Sequence, residues 1–472
     1  MDEFDEFSEH RSARMPGERL GEWVRENRIL IMYGILLITV MFSRGFWGSD
    51  ERRMADLTHD LFARRQWLPS ASAAASPGAP TILYLWLTKL SVSLGALIGG
   101  LASEPSAWPL RAPSVLGSIT FLYFFRTWAS RFLQRDVADL AMLILCATPL
   151  WFWQSQAIQV DLLFSAMLGA SWLCWLAGYL LLRRSLDGAE DEYQSWFRWS
   201  YFWLGLAFLV KGPVPLMLSA LLLILFLMWQ KDFQALKETA LNPAFAILLI
   251  LVSAGYASGM VAVPGFHALW QGFSRVQPVW IYVVYLFRDL FPWVVLLPTL
   301  VVFLRGSGAH KAPTVRFLMI AFLVPFSISL WGDGVQGTDP LVAYPFLALL
   351  LAGLLQPIYV EGVSAARIRS IGALLAATLW IASLSFFLVS VIRLGGPAIQ
   401  GLVLPMFGSL RLATLVLVMG ALSVSIRCAK GEGEFLVRET TATVCVVLFI
   451  IGTWGFQRLD PVLQNWNHLT ER

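Results

Sequence analysis

Four places in this 472-residue chain put ionisable side chains where ions are otherwise scarce. Asp50 and Glu51 stand together in Trp47-Gly48-Ser49-Asp50-Glu51-Arg52-Arg53-Met54, just after an apolar run. Adjacent carboxylates can supply a general base when one is held against a hydroxyl and its ionisation is tuned by its surroundings. Equally, Ser49 or Asp50 can cap a helix over 51–66 whose dipole Glu51 meets. Asp161 ends the stretch Gln154-Ser155-Gln156-Ala157-Ile158-Gln159-Val160-Asp161, where a long apolar run begins. A carboxylate at that depth is a functional candidate by default. It can also be a helix N-cap, and the two roles are compatible. Lys211 lies between two apolar runs in Val210-Lys211-Gly212-Pro213-Val214-Pro215. Pro213 can open a helix with free N–H groups and a positive dipole end, so a lysine beside it makes a site for an anion such as phosphate. Snorkelling toward the interface is the plain alternative. Arg275, in Gly272-Phe273-Ser274-Arg275-Val276-Gln277-Pro278, offers the planar fork that grips phosphate, or is an ordinary interfacial arginine. Trp270, Trp280 and Tyr282 around it are first an aromatic belt and secondly a sugar platform.

What holds these residues is a membrane bundle. Only 14% of the residues are charged, 57% are hydrophobic and 21 are Trp, whereas a soluble domain carries about 25% charged residues. The mean hydropathy of +0.65 agrees. The near balance of 35 Lys and Arg against 31 Asp and Glu argues against a nucleic-acid partner. Cys146, Cys174, Cys428 and Cys445 lie in or beside apolar runs without disulfide or zinc spacing and read as packing residues.

Residues 1–28 form a polar tail, and the apolar run from Ile29 to Trp47 reads as a retained signal-anchor rather than a removable leader. Thirteen further apolar runs follow, the first near 81–101 and the last near 440–456. If every run crossed, the groups Arg131/Arg135, Arg183/Arg184, Lys231/Lys237, Arg305/Lys311/Arg316, Arg367/Arg369 and Arg427/Lys430/Arg438 would all face outward. That would reverse the cytoplasmic preference of Lys and Arg. Segment 81–101, with Lys89 and three glycines, is therefore read as a helix lying along the outer face. The expected fold is all-α, a polytopic membrane protein of about thirteen transmembrane helices with surface helices in the first external loop. Its N-terminus would be cytoplasmic. Arg52, Arg53, Arg64 and Arg65 in that loop break the charge rule. This topology gathers Asp50, Glu51, Asp161, Lys211, Arg275, Asp333 and Asp339 on one external face. Tyr282, Tyr344 and Asp339 complete the candidates as substrate contacts.

Five blocks of the chain resemble the aminoarabinose transferase and protein O-mannosyltransferase branch of the GT-C membrane glycosyltransferases. They are the acidic pair with Arg-Arg-Met-Ala at 50–55, Arg111-Ala112-Pro113-Ser114, the stretch from Thr148-Pro149 to Asp161, Gly205–Pro213, and Pro278–Trp293 ending Phe-Pro-Trp. Gly205–Pro213 is the most specific. The resemblance implies an enzyme that moves a sugar from a polyprenyl-phosphate carrier to a lipid, glycan or protein acceptor on the non-cytoplasmic face of the membrane, here a bacterial inner membrane. It makes Asp50 the general base, Glu51 and Asp161 its acidic partners, and Lys211 and Arg275 ligands of the lipid phosphate, with Arg52 and Arg53 beside them. No cofactor and no metal are implied, and the configuration should invert. The catalytic module would span 29–345, including external loop 48–80 and surface helix 81–101, with further membrane helices and a short external tail over 346–472. Two blocks depart from the family. Its Lys-Pro-Pro appears as Gly78-Ala79-Pro80, and its Glu-His before the arginine as Gly272-Phe273. A different donor head group, or Arg52, Arg53 or Lys89 standing in for the lost charge, would account for this. The rival readings are a flippase for lipid-linked sugars and a non-catalytic partner of a cell-envelope assembly. The chain shows no inverted repeat, and its ions gather at one face rather than at mid-membrane, which disfavours the transporter.

Overall fold

The computed structural model describes residues 23–43, 51, 54–58, 82–99, 107–184, 190–240, 242–243, 245–257, 279–329, 340–359, 365–392 and 407–455. Among them there is no strand. The helices run, in order, α1 (Arg28–Ser43), α2 (Ile82–Gly99), α3 (Trp108–Ala129), α4 (Arg135–Cys146), α5 (Pro149–Gln154), α6 (Asp161–Arg184), α7 (Glu190–Lys211), α8 (Val214–Gln230) and α9 (Phe233–Ala240). They continue as α10 (Phe245–Ala257), α11 (Val279–Leu290), α12 (Leu297–Gly306), α13 (Pro313–Ser329), α14 (Tyr344–Tyr359), α15 (Ala365–Ile392), α16 (Phe407–Lys430) and α17 (Gly433–Ile450). Among the described residues five stretches, 161–183, 340–358, 366–389, 408–430 and 435–454, are long and apolar enough to cross a membrane, and five shorter apolar helices accompany them. The chain is thus a multi-pass, all-helical membrane protein. The expected number of thirteen crossings is not established by the described residues.

The breaks between helices follow from local chemistry. Proline cannot donate a helix hydrogen bond, so Pro149 divides α4 from α5 and starts the second piece at its first turn. The two pieces act as one kinked passage over 135–154. At the end of α7, Gly212 adopts φ +63°, a left-handed conformation that a Cβ would disfavour, and the chain turns into α8 at Pro213. Lys231 closes α8 in the left-handed region, after which the Asp232 carboxylate accepts the Ala235 N–H and caps α9.

Packing is centred on α6 and on the segment leading into α14, each 83% buried along its membrane-length window, whereas α15 and α16 are only 33% buried and lie outermost. Helices α6 and α7 form a long antiparallel pair, and α3 packs against α1, α2, α4 and α6. Helix α14 packs on α4 and α13, and α15, α16 and α17 pack mainly on one another.

Ion pairs mark the two ends of this bundle. At one end Arg126, late in α3, pairs with Asp139 of α4 and donates to Asn27 Oδ1 ahead of α1 at 3.1 Å. Arg135 meets Glu26 there at 3.1 Å. At the other end Glu51, beyond α1, meets Arg111 in the first turn of α3. The segment between Glu51 and Arg111, including α2, therefore starts and finishes at the same end. Only residues 100–107 join α2 to α3, and eight residues reach about 28 Å when fully extended, short of a ~30 Å hydrocarbon core. Ser91 of α2 donates to Pro109 O, and Gly95 packs on Trp108 and Pro109, so α2 stays against the first turn of α3.

Where α7 meets α10, a Cβ on Gly205 would lie 2.9 Å from Leu251 Cβ. Overpacking of this kind costs about 1–3 kcal/mol. Gly205→Val is expected to lower the melting temperature in detergent by several degrees, and an unchanged melting curve would show that α7 and α10 are not closely packed.

Candidate functional site

Glu51 and Arg111 build the deepest part of the charged end. Arg111 is the fourth residue of α3, flanked by Pro109 and Pro113, and its side chain is fully buried. Its Nη2 donates to Glu51 Oε2 at 2.7 Å, and Glu51 is itself buried. The other carboxylate oxygen, Oε1, accepts the backbone N–H of Ile158 at 3.2 Å. Glu51 thereby joins three segments: the first loop, the start of α3, and the turn between α5 and α6. Desolvating two ions costs more than a simple contact returns unless geometry is good and further donors are supplied; here the contact is 2.7 Å and the Ile158 N–H supplies Glu51 with a second donor.

Asp161 and Lys211 make the second pair. Asp161 is the first residue of α6 and Lys211 the last of α7, so the antiparallel packing of the two helices puts them side by side. Lys211 Nζ donates to Asp161 Oδ1 and sits 4.7 Å over the Phe164 ring. The arrangement is that of a helix-end cation locked by a carboxylate and an aromatic face. An ammonium has three donors, and Asp161 engages one oxygen, which leaves Lys211 able to address an anion at the mouth. Arg183, near the end of α6, pairs with Asp232 just past α8, at the opposite end of the bundle from Asp161 and Lys211.

Tyr84 of α2 ties the two pairs into one neighbourhood. It is fully buried and lies in the field of Glu51, Asp161 and Arg111. Burial pushes its phenol up, so it remains a neutral hydroxyl. Its hydroxyl lies beside Ser114, which spends its own proton on Ala157 O at 2.8 Å.

An almost wholly apolar cavity of about 290 Å³ adjoins this end, lined by Leu87 and Leu94 of α2, Pro113 and Phe124 of α3, Leu163 of α6 and Trp203 of α7. Along α3 its lining runs from Pro113 to Trp128, fifteen residues or about 22 Å of helix rise. Its upper residues, Pro113 and Leu163, are each two positions from a charged residue, Arg111 and Asp161.

Of the residues expected from the sequence, Glu51, Asp161 and Lys211 are thus gathered. Asp161, expected beside the base, is bonded to Lys211. Asp50, Arg52, Arg53, Arg275 and Asp339 lie outside the described residues. Tyr282 falls in α11, which packs on α5, with its side chain outside the described residues. Tyr344 heads α14 with its side chain buried. Two members of the site were not singled out from sequence. Arg111 carried a signal, an arginine inside an apolar helix, whereas Tyr84 reads as one more aromatic in an apolar run. Among the described residues there is no cluster of three metal-ligating side chains.

Comparison with known proteins gives a consistent class. Residues 79–256 match the dolichyl-phosphate-mannose-protein mannosyltransferase family. The fold is that of a crystal structure of ArnT from Cupriavidus metallidurans bound to undecaprenyl phosphate, with a TM-score of 0.75 over 91% of this chain and 78% of that one at 18% identity. The apo form of the same protein aligns with a TM-score of 0.70, at 19% identity over 93% of this chain and 78% of that one. The protein is therefore a GT-C-type membrane fold. Within that class it is similar to the undecaprenyl phosphate-alpha-4-amino-4-deoxy-L-arabinose arabinosyl transferases. The one named type 2 from Pseudomonas fluorescens is 23% identical over 371 residues, 73% of this chain and 57% of that relative. A relative from Pectobacterium carotovorum is 23% identical over 342 residues, 69% of this chain and 58% of its own length. The chain thus spans less than three-fifths of the length of these relatives.

Removing one partner of a buried ion pair typically costs about 3–5 kcal/mol, because the other charge is left without compensation. Arg111→Leu is expected to reduce the yield of folded protein sharply. The paired change Glu51→Gln with Arg111→Met should recover much of the melting temperature, since no buried charge remains. Damage in the double variant equal to the sum of the damage from the two single changes would show that the residues act independently.

Proposed function

We propose that this protein is an integral-membrane glycosyltransferase that moves a sugar from a polyprenyl-phosphate carrier to a lipid, glycan or protein acceptor on the external face, with inversion and without a metal. The observation that carries this reading is the meeting of two charge pairs, Glu51–Arg111 and Asp161–Lys211, at one end of a bundle whose α3 and α6 also line a long apolar cavity. A polyprenyl phosphate has that same division, a doubly charged head on an apolar tail. The names of the relatives support the choice of donor, since each contains undecaprenyl phosphate as carrier.

In the proposed reaction Asp50 takes the proton of the acceptor hydroxyl as that oxygen bonds to the anomeric carbon. The bond from that carbon to the phosphate oxygen breaks on the opposite face, and polyprenyl phosphate departs with the electron pair. Lys211 and Arg275, with Arg52 and Arg53 nearby, meet the charge that grows on the leaving phosphate. Fixed positive donors aimed at developing charge are usually the largest catalytic contribution. Asp161 holds Lys211 in place, and Glu51, clamped by Arg111 and Ile158 N–H, anchors the segment that carries Asp50. The tail would lie in the cavity between α2, α3 and α6. Tyr282, Asp339 and Tyr344 are assigned to the sugar and acceptor.

Purified protein supplied with a polyprenyl-phosphate sugar and candidate acceptors should form a glycoside, and the wild type should do so in the presence of EDTA. Lipid movement without a new glycosidic bond would favour the flippase instead. Asp50→Asn is expected to abolish transfer while membrane insertion and melting temperature stay unchanged; full turnover in that variant would remove Asp50 as the base. Lys211→Ala should lower the rate about 100-fold and raise the KM for donor more than that for acceptor. Equal donor KM values in the two proteins would refute the phosphate role of Lys211.

A further inference from the structure

We propose that Ser118 is a positioning residue for the charged site, acting through a closed hydrogen-bonded ring with Ser155 and Trp151. The inference rests on the transferase reading for what the site binds, and on the geometry of α3 and the α5–α6 turn for how it is held.

The ring lies one layer below the ion pairs. Trp151 Nε1 donates to Ser118 Oγ at 3.1 Å, the Ser118 and Ser155 hydroxyl oxygens are 2.8 Å apart, and Ser155 Oγ stands 2.6 Å from Trp151 O. All three side chains are fully buried. A hydroxyl has one proton, and a carbonyl oxygen can only accept. Ser155 Oγ is the donor in both of its contacts, so its one proton is shared between Ser118 Oγ and Trp151 O, while Ser118 Oγ accepts from Ser155 and from Trp151 Nε1.

The ring joins α3 to the end of α5, where regular helix stops. Residues 155–160 are not helical, and they lead directly to Asp161. Three groups from elsewhere in the fold pin this turn in succession. Ser118 holds Ser155, Ser114 donates to Ala157 O, and Glu51, itself held by Arg111, accepts Ile158 N–H. Arg111, Ser114 and Ser118 are spaced three and four apart, so they form one stripe down a single face of α3. Charge stands at the top of the stripe and hydroxyls below it. The turn that delivers Asp161 to Lys211 is thus registered against α3 at three levels, and Ser118 sets the lowest.

A single interhelical hydroxyl contact contributes modestly to the stability of a membrane bundle. Loss of Ser118 should accordingly leave the fold standing and release the turn. Four measurements test this in the full-length protein in detergent. In Ser118→Ala, hydrogen–deuterium exchange should quicken at amides 155–161 and stay unchanged in α4, over 135–146. The Kd for undecaprenyl phosphate should weaken about fivefold. Ser118→Thr, which keeps the hydroxyl, should restore both. In a Lys211→Ala background, Ser118→Ala should weaken binding no further, because its effect passes through Lys211. Unchanged exchange at 155–161, or a full fivefold loss that persists without Lys211, overturns the proposal. So does failure of the threonine variant to recover when its melting temperature equals that of the wild type. A wild-type protein that binds undecaprenyl phosphate but transfers nothing refutes the transferase reading, while exchange and binding still decide the role of Ser118. A wild type that does not bind that lipid refutes both.

Discussion

A charge inside an apolar bundle has to bring its counter-charge and its hydrogen-bond donors with it, and the Arg111–Glu51 pair is where this requirement organises the chain. Neither ion could be buried alone without a penalty of several kcal/mol. Joined at 2.7 Å, with Ile158 N–H on the remaining oxygen, they tie segments that are sixty and more residues apart. The pair also fixes where the first loop returns to the bundle. Because Glu51 meets the first turn of α3 and Ser91 donates to Pro109 O, Glu51 and α2 are held at one end of the bundle.

The second pair extends the same constraint across the bundle. Asp161 begins one long helix and Lys211 ends the next, so their contact sets the register of α6 against α7 at the mouth, while Arg183 and Asp232 tie α6 to the end of α8 at the opposite face. Between these polar ends the helices face one another through apolar and aromatic groups, among them the stacked Trp175 and Phe317 rings. The cavity along α3 belongs to that apolar layer. A polar end above an apolar layer has the same division as the proposed lipid-linked donor, and that partition supports the donor better than any single residue does.

Some of this was legible before any coordinate. Lys211-Gly212-Pro213 reads as a helix end followed by a helix start, and the structure has the left-handed glycine and the proline-opened α8 at those residues. Asp161 reads as the beginning of a helix for the same kind of local reason. The pairing was not legible. Asp161 is bonded to Lys211, fifty residues away, because only the antiparallel packing of α6 and α7 decides which ends meet. Arg111 could be noticed as a cation in an apolar helix but not matched to Glu51. Tyr84 and Ser118 left no mark, since a tyrosine or a serine in an apolar run is ordinary and becomes informative only when its neighbours are known.

The sequence by itself determined the solvent and the helical class. With so few charges and such long apolar runs, the chain must lie in lipid and its backbone polar groups must be satisfied within helices. Those are properties of local composition, and they survive any rearrangement of the helices. Only the tertiary structure decided which acid meets which base, that the α5–α6 turn is pinned against one face of α3, and that an apolar cavity runs along α3. Each of these depends on contacts between distant segments, and their energies arise from mutual burial that no single segment carries alone.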